Sequence, residues 1–351
     1  MATTYKKLNQ KEDVRSVKTK LHEVIPITGS VISGTYADLN IKKYTHGMFQ
    51  SVYDYPYLSS SANHIFDLSA GVWVDGSQTI SSSNANATEK KNIYSQMAQL
   101  LVGHDASGSI KPFDRLGAIT SSATQKMQSA IFVPLTRLLV KDEVEKESVS
   151  IVVGTGNYAS PFATTATLTD ISASTTYKTN SPAGDYGILY SGSVATNSAI
   201  GGLVFYQAGI AVIEVSHSSG FNMLGDSNEF MSSSVTGLNN DESFHSGTID
   251  QLGDAFRHRV KSIDFRNTTE LNSTVYFCRA NHNEFNYSSN PTYTSGSRVR
   301  VKTEKSDAPV SYITTVGLYS TDNVLLATAK LSEPLKKSPN TDFTIRVRLD
   351  Y

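Results

Sequence analysis

The chain has 351 residues, and 31 basic against 32 acidic side chains leave a net charge of −1. That length suits two ordinary domains or one large β domain with insertions, and the charge balance excludes both a polyanion binder and an acidic solvating chain. A single cysteine, Cys278, excludes an intramolecular disulfide and a cysteine-only metal cluster, and its setting in "STVYFCRA" reads as a small buried side chain.

Residues 1–24 carry Lys6, Lys7, Lys11, Arg15, Lys18 and Lys20 against Glu12, Asp13 and Glu23, with few apolar residues. This is expected to be an extended polar arm that orders only against a partner or the body of the protein. Its lysines are not followed by an apolar core, so it does not read as a secretory signal. "VIPITGSVISGTY" reads as a strand pair broken at Gly29, and "THGMFQSVYDYPYL" is dense in aromatics, with Pro56 ruling out a regular helix. "NHIFDLSAGVWV" alternates as a strand, with Ile65, Leu68 and Trp73 among its apolar residues.

A low-complexity stretch leads to "TEKKNIYSQMAQLLVGHD", the clearest helix of the sequence, expected over residues 88–102. Thr88 is its candidate cap, Gly103 its stop, and Ile93, Met97, Leu100 and Leu101 its apolar face. "PLTRLLVKDEVEKE" is a second helix or strand ending in a charged run. Beyond it the chain turns Ser/Thr-rich, β-branched and glycine-punctuated, as short strands joined by turns require.

The longest apolar run, "AIGGLVFYQAGIAVIEV", contains Gln207 and Glu214 and three glycines. It falls short of the ~20 apolar residues of a membrane helix, so it reads as a buried β-hairpin turning near "YQAG", in a soluble protein made under reducing conditions. A polar loop over residues 217–247 follows, long enough to be functional or interfacial. "TIDQLGDAFRHRV" is a short helix, and strands fill the remainder. The expected architecture is mainly β: β-sandwich domains, a small helical element and an extended N-terminal arm. Its divisions are an arm (1–24), an α+β part (25–147), a β-rich candidate insertion (148–240) and a C-terminal β-sandwich part (241–351).

Candidate chemistry is sparse. "SIVVGTGNYASP" holds G-x-G-x-x-A after a strand, but Pro161 and β-branched residues follow where a dinucleotide site needs a helix, so it reads as a turn. His104, Asp105 and Ser107 are crowded in sequence, which is not the spatial convergence of a triad. The histidines have no metal-ligand spacing beyond His282 and Glu284, two apart on an expected strand. No catalytic, cofactor or metal residue is assigned, and no nucleic-acid or membrane partner is expected.

Basic alternation is more informative. In "SRVRVKT", Arg298, Arg300 and Lys302 share one face, and in "FTIRVRLDY" Arg346 and Arg348 sit with Thr344 and Asp350. Phe343, Ile345, Val347, Leu349 and Tyr351 are expected inward, sealing a sandwich with the hairpin "ITTVGLYSTDNVLLATAKL". The basic face either guards against edge pairing or docks an acidic partner. Tyr53, Tyr55 and Tyr57 either fill a core around Pro56 or anchor an interface.

Resemblance adds a direction. "EFNYSSNPTY", "RVRVKT", "PVSYITTVGLYSTDNVLLATAKLSEPLKK" and "IRVRLDY" resemble the C-terminal block of virion structural proteins of large marine, contractile-tailed phages. "ITGSVISGTY" and "IKKYTHGMFQSVYDYPYLSSSANHIFDLSAG" resemble their N-terminal block. The hairpin is also similar to a motif of phage tail-fibre and baseplate proteins, a strand ending in G-L-Y/F followed by a polar turn and L-L-A-x-A. The middle, about 105–290, carries almost none of the likeness. The resemblance implies a non-enzymatic virion component of the phage tail, first of all a baseplate wedge protein, assembled in the host cytoplasm. It would contact other tail or baseplate proteins and copies of itself, without cofactors. Neck and fibre-attachment roles stay open, as does a receptor- or glycan-binding module using the 217–247 loop and the 148–216 strands.

Overall fold

The computed structural model describes residues 5–28, 39–73, 85–117, 126–215, 230, 244, 246–288, 294–295, 298–299 and 310–351. In chain order the strands and helices are β1 (Val14–Thr28), β2 (Ile41–Lys43), β3 (Gln50–Tyr53), β4 (His64–Val72), α1 (Ala85–Leu101), β5 (Ser129–Pro134), α2 (Arg137–Val140) and β6 (Glu143–Val144). Then come β7 (Ser150–Gly154), β8 (Thr165–Thr169), α3 (Ala173–Thr176), β9 (Tyr186–Ser191), β10 (Ile200–Phe205), β11 (Ile210–Glu214), α4 (Ile249–Arg259) and β12 (Val260–Ala280). The last are β13 (Thr294–Ser295), β14 (Arg298–Val299), β15 (Ser311–Tyr319), β16 (Leu325–Lys337) and β17 (Phe343–Asp350). The protein is mainly β, with large antiparallel sheets and few helices, as the sequence leads one to expect of a sandwich-like fold.

Two compact units divide the chain: residues 21–269, and residues 1–20 together with 270–351. The divisions expected from composition do not match these. Residue 148 is no boundary, because β7 to β11 belong to the same sheet as β4 and β5, and the 25–147 and 148–240 parts share one core. Residues 14–24 are not an arm either: they lie in β1, which pairs with β12.

In the larger unit the sheet runs β12–β7–β8–β9–β10–β11–β5–β4–β3–β2, with β6 also on β12. Strands β10 and β11 are buried at every position, as a continuous apolar run covered on both faces requires. They form the expected hairpin, Gly202 opposite Ile213 and Phe205 opposite Ile210, with Gly209 in the left-handed region at φ 67°. Helices α1 and α4 both pack on β4. Gly71 of β4 makes the close approach of α1 possible, since a Cβ there would lie 2.9 Å from the Tyr94 Cβ and 2.8 Å from the Phe132 ring.

Helix α1 begins three residues before Thr88, so Thr88 is an interior residue and not the cap. Its buried face is Ile93, Tyr94, Ala98 and Leu101, whereas Leu100 is exposed. Gly103, at φ 83°, closes the helix as expected, its N–H donating to the Ala98 carbonyl at 2.9 Å. Helix α4 starts with a capping box: Gln251 N–H donates to Thr248 Oγ1 at 3.2 Å, and Thr248 N–H to Gln251 Oε1 at 3.0 Å.

In the smaller unit β17 pairs antiparallel with the end of β12, from Ser273 opposite Asp350 to Ala280 opposite Phe343. Strands β15 and β16 form a separate two-stranded sheet around the polar turn at Asp322 and Asn323, the latter at φ 61°. The terminal strand alternates as predicted up to Leu349, with Val347 buried and Arg346, Arg348 and Asp350 exposed. Tyr351 is a correction: it is 76% exposed, because β17 ends at Asp350 and its ring lies beyond the ladder. The hairpin does not seal a core either; Val324, Leu325 and Leu326 are exposed and only Leu318 among its apolar side chains is buried.

Candidate interaction surfaces

The three tyrosines take two different positions. Tyr53 in β3 and Tyr57 are half-buried, their rings 6.1 Å apart, and Tyr53 also meets the His64 ring at 5.4 Å. Backbone bonds fold this loop back on itself: Tyr53 N–H to Asn40 O at 2.9 Å and Tyr57 N–H to Leu39 O at 3.0 Å. Asp54 fixes the turn by accepting from the Asn63 backbone at 2.7 Å and from its side chain at 2.9 Å. Tyr55 is left outside, 54% exposed, and Leu39, Met48 and Leu58 of the same region are exposed as well. Beside them Tyr44, His46 and Phe49 form a second ring cluster, with the Lys42 ammonium 4.9 Å from the Tyr44 ring.

A hydroxyl, a carboxylate and an imidazole do meet here, in the wrong order for catalysis. Ser51 Oγ donates to Asp67 Oδ1 at 2.6 Å, and His64 Nε2 meets the same oxygen at 2.8 Å. The carboxylate sits between the other two, so the ring is not placed to take the serine proton. That hydrogen bond to Asp67 raises the His64 pKa above its ordinary value.

The arginines of β17 differ from each other. Arg348 is committed within the unit, its Nε 2.6 Å from Asp350 Oδ1 and its Nη2 2.9 Å from Ser273 Oγ. Ser273 Oγ also donates to Asp350 at 2.5 Å, and these bonds, Ser273 first, hold the Asp350 carboxyl below its usual range. Arg346 is exposed and makes no ion pair among the described residues. Arg298 lies in β14, of which the backbone alone is described, and Arg300 and Lys302 lie outside the described residues.

The other motifs resolve as structure. "VVGTGNYASP" joins β7 to β8, and the Gly154 and Gly156 carbonyls accept from the fully buried Arg259 at 3.3 and 2.6 Å. It presents carbonyl oxygens inward, the opposite of a phosphate cradle. Asp105 folds an exposed turn by accepting from Ser107 and Ser109, and the same bonds, Ser107 first, lower its pKa. His282 and Glu284 are in a turn, not on a strand; Glu284 pairs with Lys6 at 2.5 Å and His282 stands 3.8 Å from Asp342. Among the described residues no three metal-ligating side chains cluster. A cavity of about 10 Å³ beside Leu101, Tyr186, Leu203 and Phe205 holds no more than one water.

No family model, curated protein or solved structure matches this chain.

Several structural groups had no signal in the sequence. Glu214, read there as an interruption of an apolar run, is buried in β11 and pairs with buried Arg115 at 2.5 Å. Burial pushes its carboxyl up to about 7, with Arg115 pulling the other way. Lys90 of α1 is fully buried and donates to the Phe244 and Gly247 carbonyls, both at 2.7 Å, and burial lowers its pKa to about 8. That ammonium anchors the end of the long polar loop. The loop itself lies outside the described residues, save Phe230, Phe244, Ser246 and Gly247. Both phenylalanines are buried, 6.3 Å apart, with the Arg259 guanidinium 5.5 Å from the Phe230 ring. Cys278, on β12 in the smaller unit, is half-buried, not fully buried as expected.

Proposed function

We propose that this chain is a structural component of a tailed-phage virion, a tail baseplate protein of the wedge kind that joins neighbouring subunits by protein–protein contact. The observation that carries this reading is a coincidence of two independent signals. Both sequence blocks that resemble phage virion proteins also hold several exposed large apolar side chains. Met48, Tyr55 and Leu58 belong to the first block, and Tyr312, Tyr319, Val324, Leu325 and Leu326 to the second. Contiguous exposed apolar side chains mark contact surfaces where scattered single ones do not, and Val324, Leu325 and Leu326 are consecutive. Exposed tyrosines anchor interfaces by burying large area at low entropy cost.

The test is imaging of phage particles carrying a label on this protein, with proteomics of purified virions. Density at the tail baseplate is the expected result. Label at the capsid or at distal fibre tips, or absence from the particle, would overturn the reading, and turnover of peptidoglycan or glycan by the purified protein would replace it with an enzymatic one.

A further inference from the structure

Strands β15, β16 and β17 of the smaller unit each pair on one side only among the described residues. A free strand edge is a template for pairing with another chain, and proteins blunt it with charge, proline or bulges. Two of these edges are blunted. Strand β17 carries Arg346, Arg348 and Asp350. Strand β16 carries Lys330, Glu333, Pro334 and Lys336, and it bulges where the ladder jumps from Thr315 opposite Lys330 to Ile313 opposite Leu335.

Strand β15 has no such device. Its nine residues, "SYITTVGLY", contain no charged side chain and no proline. They are β-branched or aromatic at six of nine positions, a composition suited to further pairing. Tyr312, Thr314, Thr315, Gly317 and Tyr319 are exposed, so neither face of the strand is fully covered. The strand's backbone hydrogen bonds go to β16 alone among the described residues.

We propose that β15 is an assembly edge, and that its occupant is β15 of a second copy of this chain, running antiparallel across a two-fold axis. Charge selects that occupant. An uncharged strand meets its own copy without like-charge repulsion, and it offers a basic or acidic partner strand nothing to recognise. Symmetry supports it, since antiparallel self-pairing closes at two copies, whereas pairing with a different edge would propagate. The product is a continuous four-stranded sheet, β16–β15–β15–β16. It would convert a two-stranded hairpin, marginal by itself, into a sheet of stable size. Exposed Tyr312 and Tyr319, near the two ends of the strand, add side-chain area to the backbone ladder. The proposal concerns the protein in solution and stands whether or not the baseplate reading does.

The experiment uses the full chain. Sedimentation at micromolar concentration is expected to show a dimer, and hydrogen exchange to show slow amides along β15. The double variant Thr314→Lys and Thr315→Lys, at two exposed positions, places like charges across the two-fold. It is expected to weaken the dimer at least tenfold, with the melting temperature unchanged at high dilution, where both proteins are monomeric. Thr328→Lys, at an exposed position of β16, is expected to leave the dimer intact. A monomeric wild type, a dimer that survives the double variant, or a dimer lost equally in Thr328→Lys would each overturn the proposal.

Discussion

The larger unit, residues 21–269, and the smaller, residues 1–20 with 270–351, are both built from antiparallel strands, yet they bury very different things. In the larger unit one continuous core takes side chains from β2 through β12 and from helices α1 and α4, including Tyr94, Phe113, Phe132, Phe205 and Phe256. In the smaller, the apolar side chains buried among the described residues are Val275, Ala280, Leu318 and Val347, beside polar Ser273, Thr274, Ser311 and Lys337. Lys337 shows how that unit is held: its fully buried ammonium donates to His282 O, Asn286 Oδ1 and Ser338 O at 3.2, 2.8 and 2.9 Å. One unit folds by excluding water, the other by ladders and polar bonds, with large apolar side chains left outside. The lesson is a contrast between a body with its own apolar core and a region that leaves large apolar side chains such as Leu325 and Leu326 exposed.

The largest test of that contrast is in the larger core. Phe132 is fully buried, 5.7 Å from the Phe113 ring and 6.1 Å from Tyr94. Phe132→Ala should cost about 3–5 kcal/mol, the transfer loss plus a cavity that the flanking strands cannot close. Its counterpart, Val347→Ala in β17, should cost about 1.5 kcal/mol for two methylene-sized groups. Trp73, the single tryptophan, sits 5.6 Å from Tyr94 and reports the larger unit alone. In urea, Phe132→Ala should move the tryptophan transition and Val347→Ala should leave it in place. If both variants shift the tryptophan midpoint together, the two units unfold as one and the contrast is lost.

A smaller effect is expected from pH. Burial raises the Glu214 carboxyl from 4.5 to about 7 in the folded protein. The folded state then holds a proton that the unfolded chain has lost, so stability is greatest below about 4.5 and falls as pH rises toward 7. Each pH unit in that window is worth about 1.4 kcal/mol at most. Glu214→Gln should flatten that part of the pH–stability curve, read through Trp73. A variant curve as steep as the wild type would assign the slope to another group, and the buried pair would be irrelevant to it.

What the sequence disclosed follows the same division. Period and punctuation located α1, the β10–β11 hairpin, α4 and the β15–β16 hairpin, because each is decided by residues adjacent in the chain. Charge pairs were illegible: Arg115 and Glu214 are 99 positions apart, and no local pattern announces their meeting. Domain limits were misplaced because β1 and β12 each belong partly to both units, so the boundary falls within strands and leaves no linker composition. The tyrosines of "VYDYPYL" were half legible, since alternation would put Tyr53 and Tyr55 on one face, and what separates them is the end of β3 at Tyr53 and the Asp54 turn to Asn63, nine positions on.

The smallest expected effect concerns Tyr351. Alternation along "FTIRVRLDY" would place this ring inward, and an inward tyrosine is worth several kcal/mol on truncation. The ring is 76% exposed instead, held by its backbone N–H to Asn272 O and by its hydroxyl 2.9 Å from Thr274 Oγ1, with the N–H bond also at 2.9 Å. Tyr351→Ala keeps the backbone bond and removes one exposed hydroxyl contact, so it should cost no more than about 0.5 kcal/mol. Thermal melting followed by far-UV circular dichroism, which reports strands of both units, would detect a larger loss. A cost of 2 kcal/mol or more would mean that the ring is covered when the protein is in solution. A cost that appears only at concentrations where the chain self-associates would place the cover on a second copy. The cost at high dilution therefore measures what the smaller unit supplies by itself.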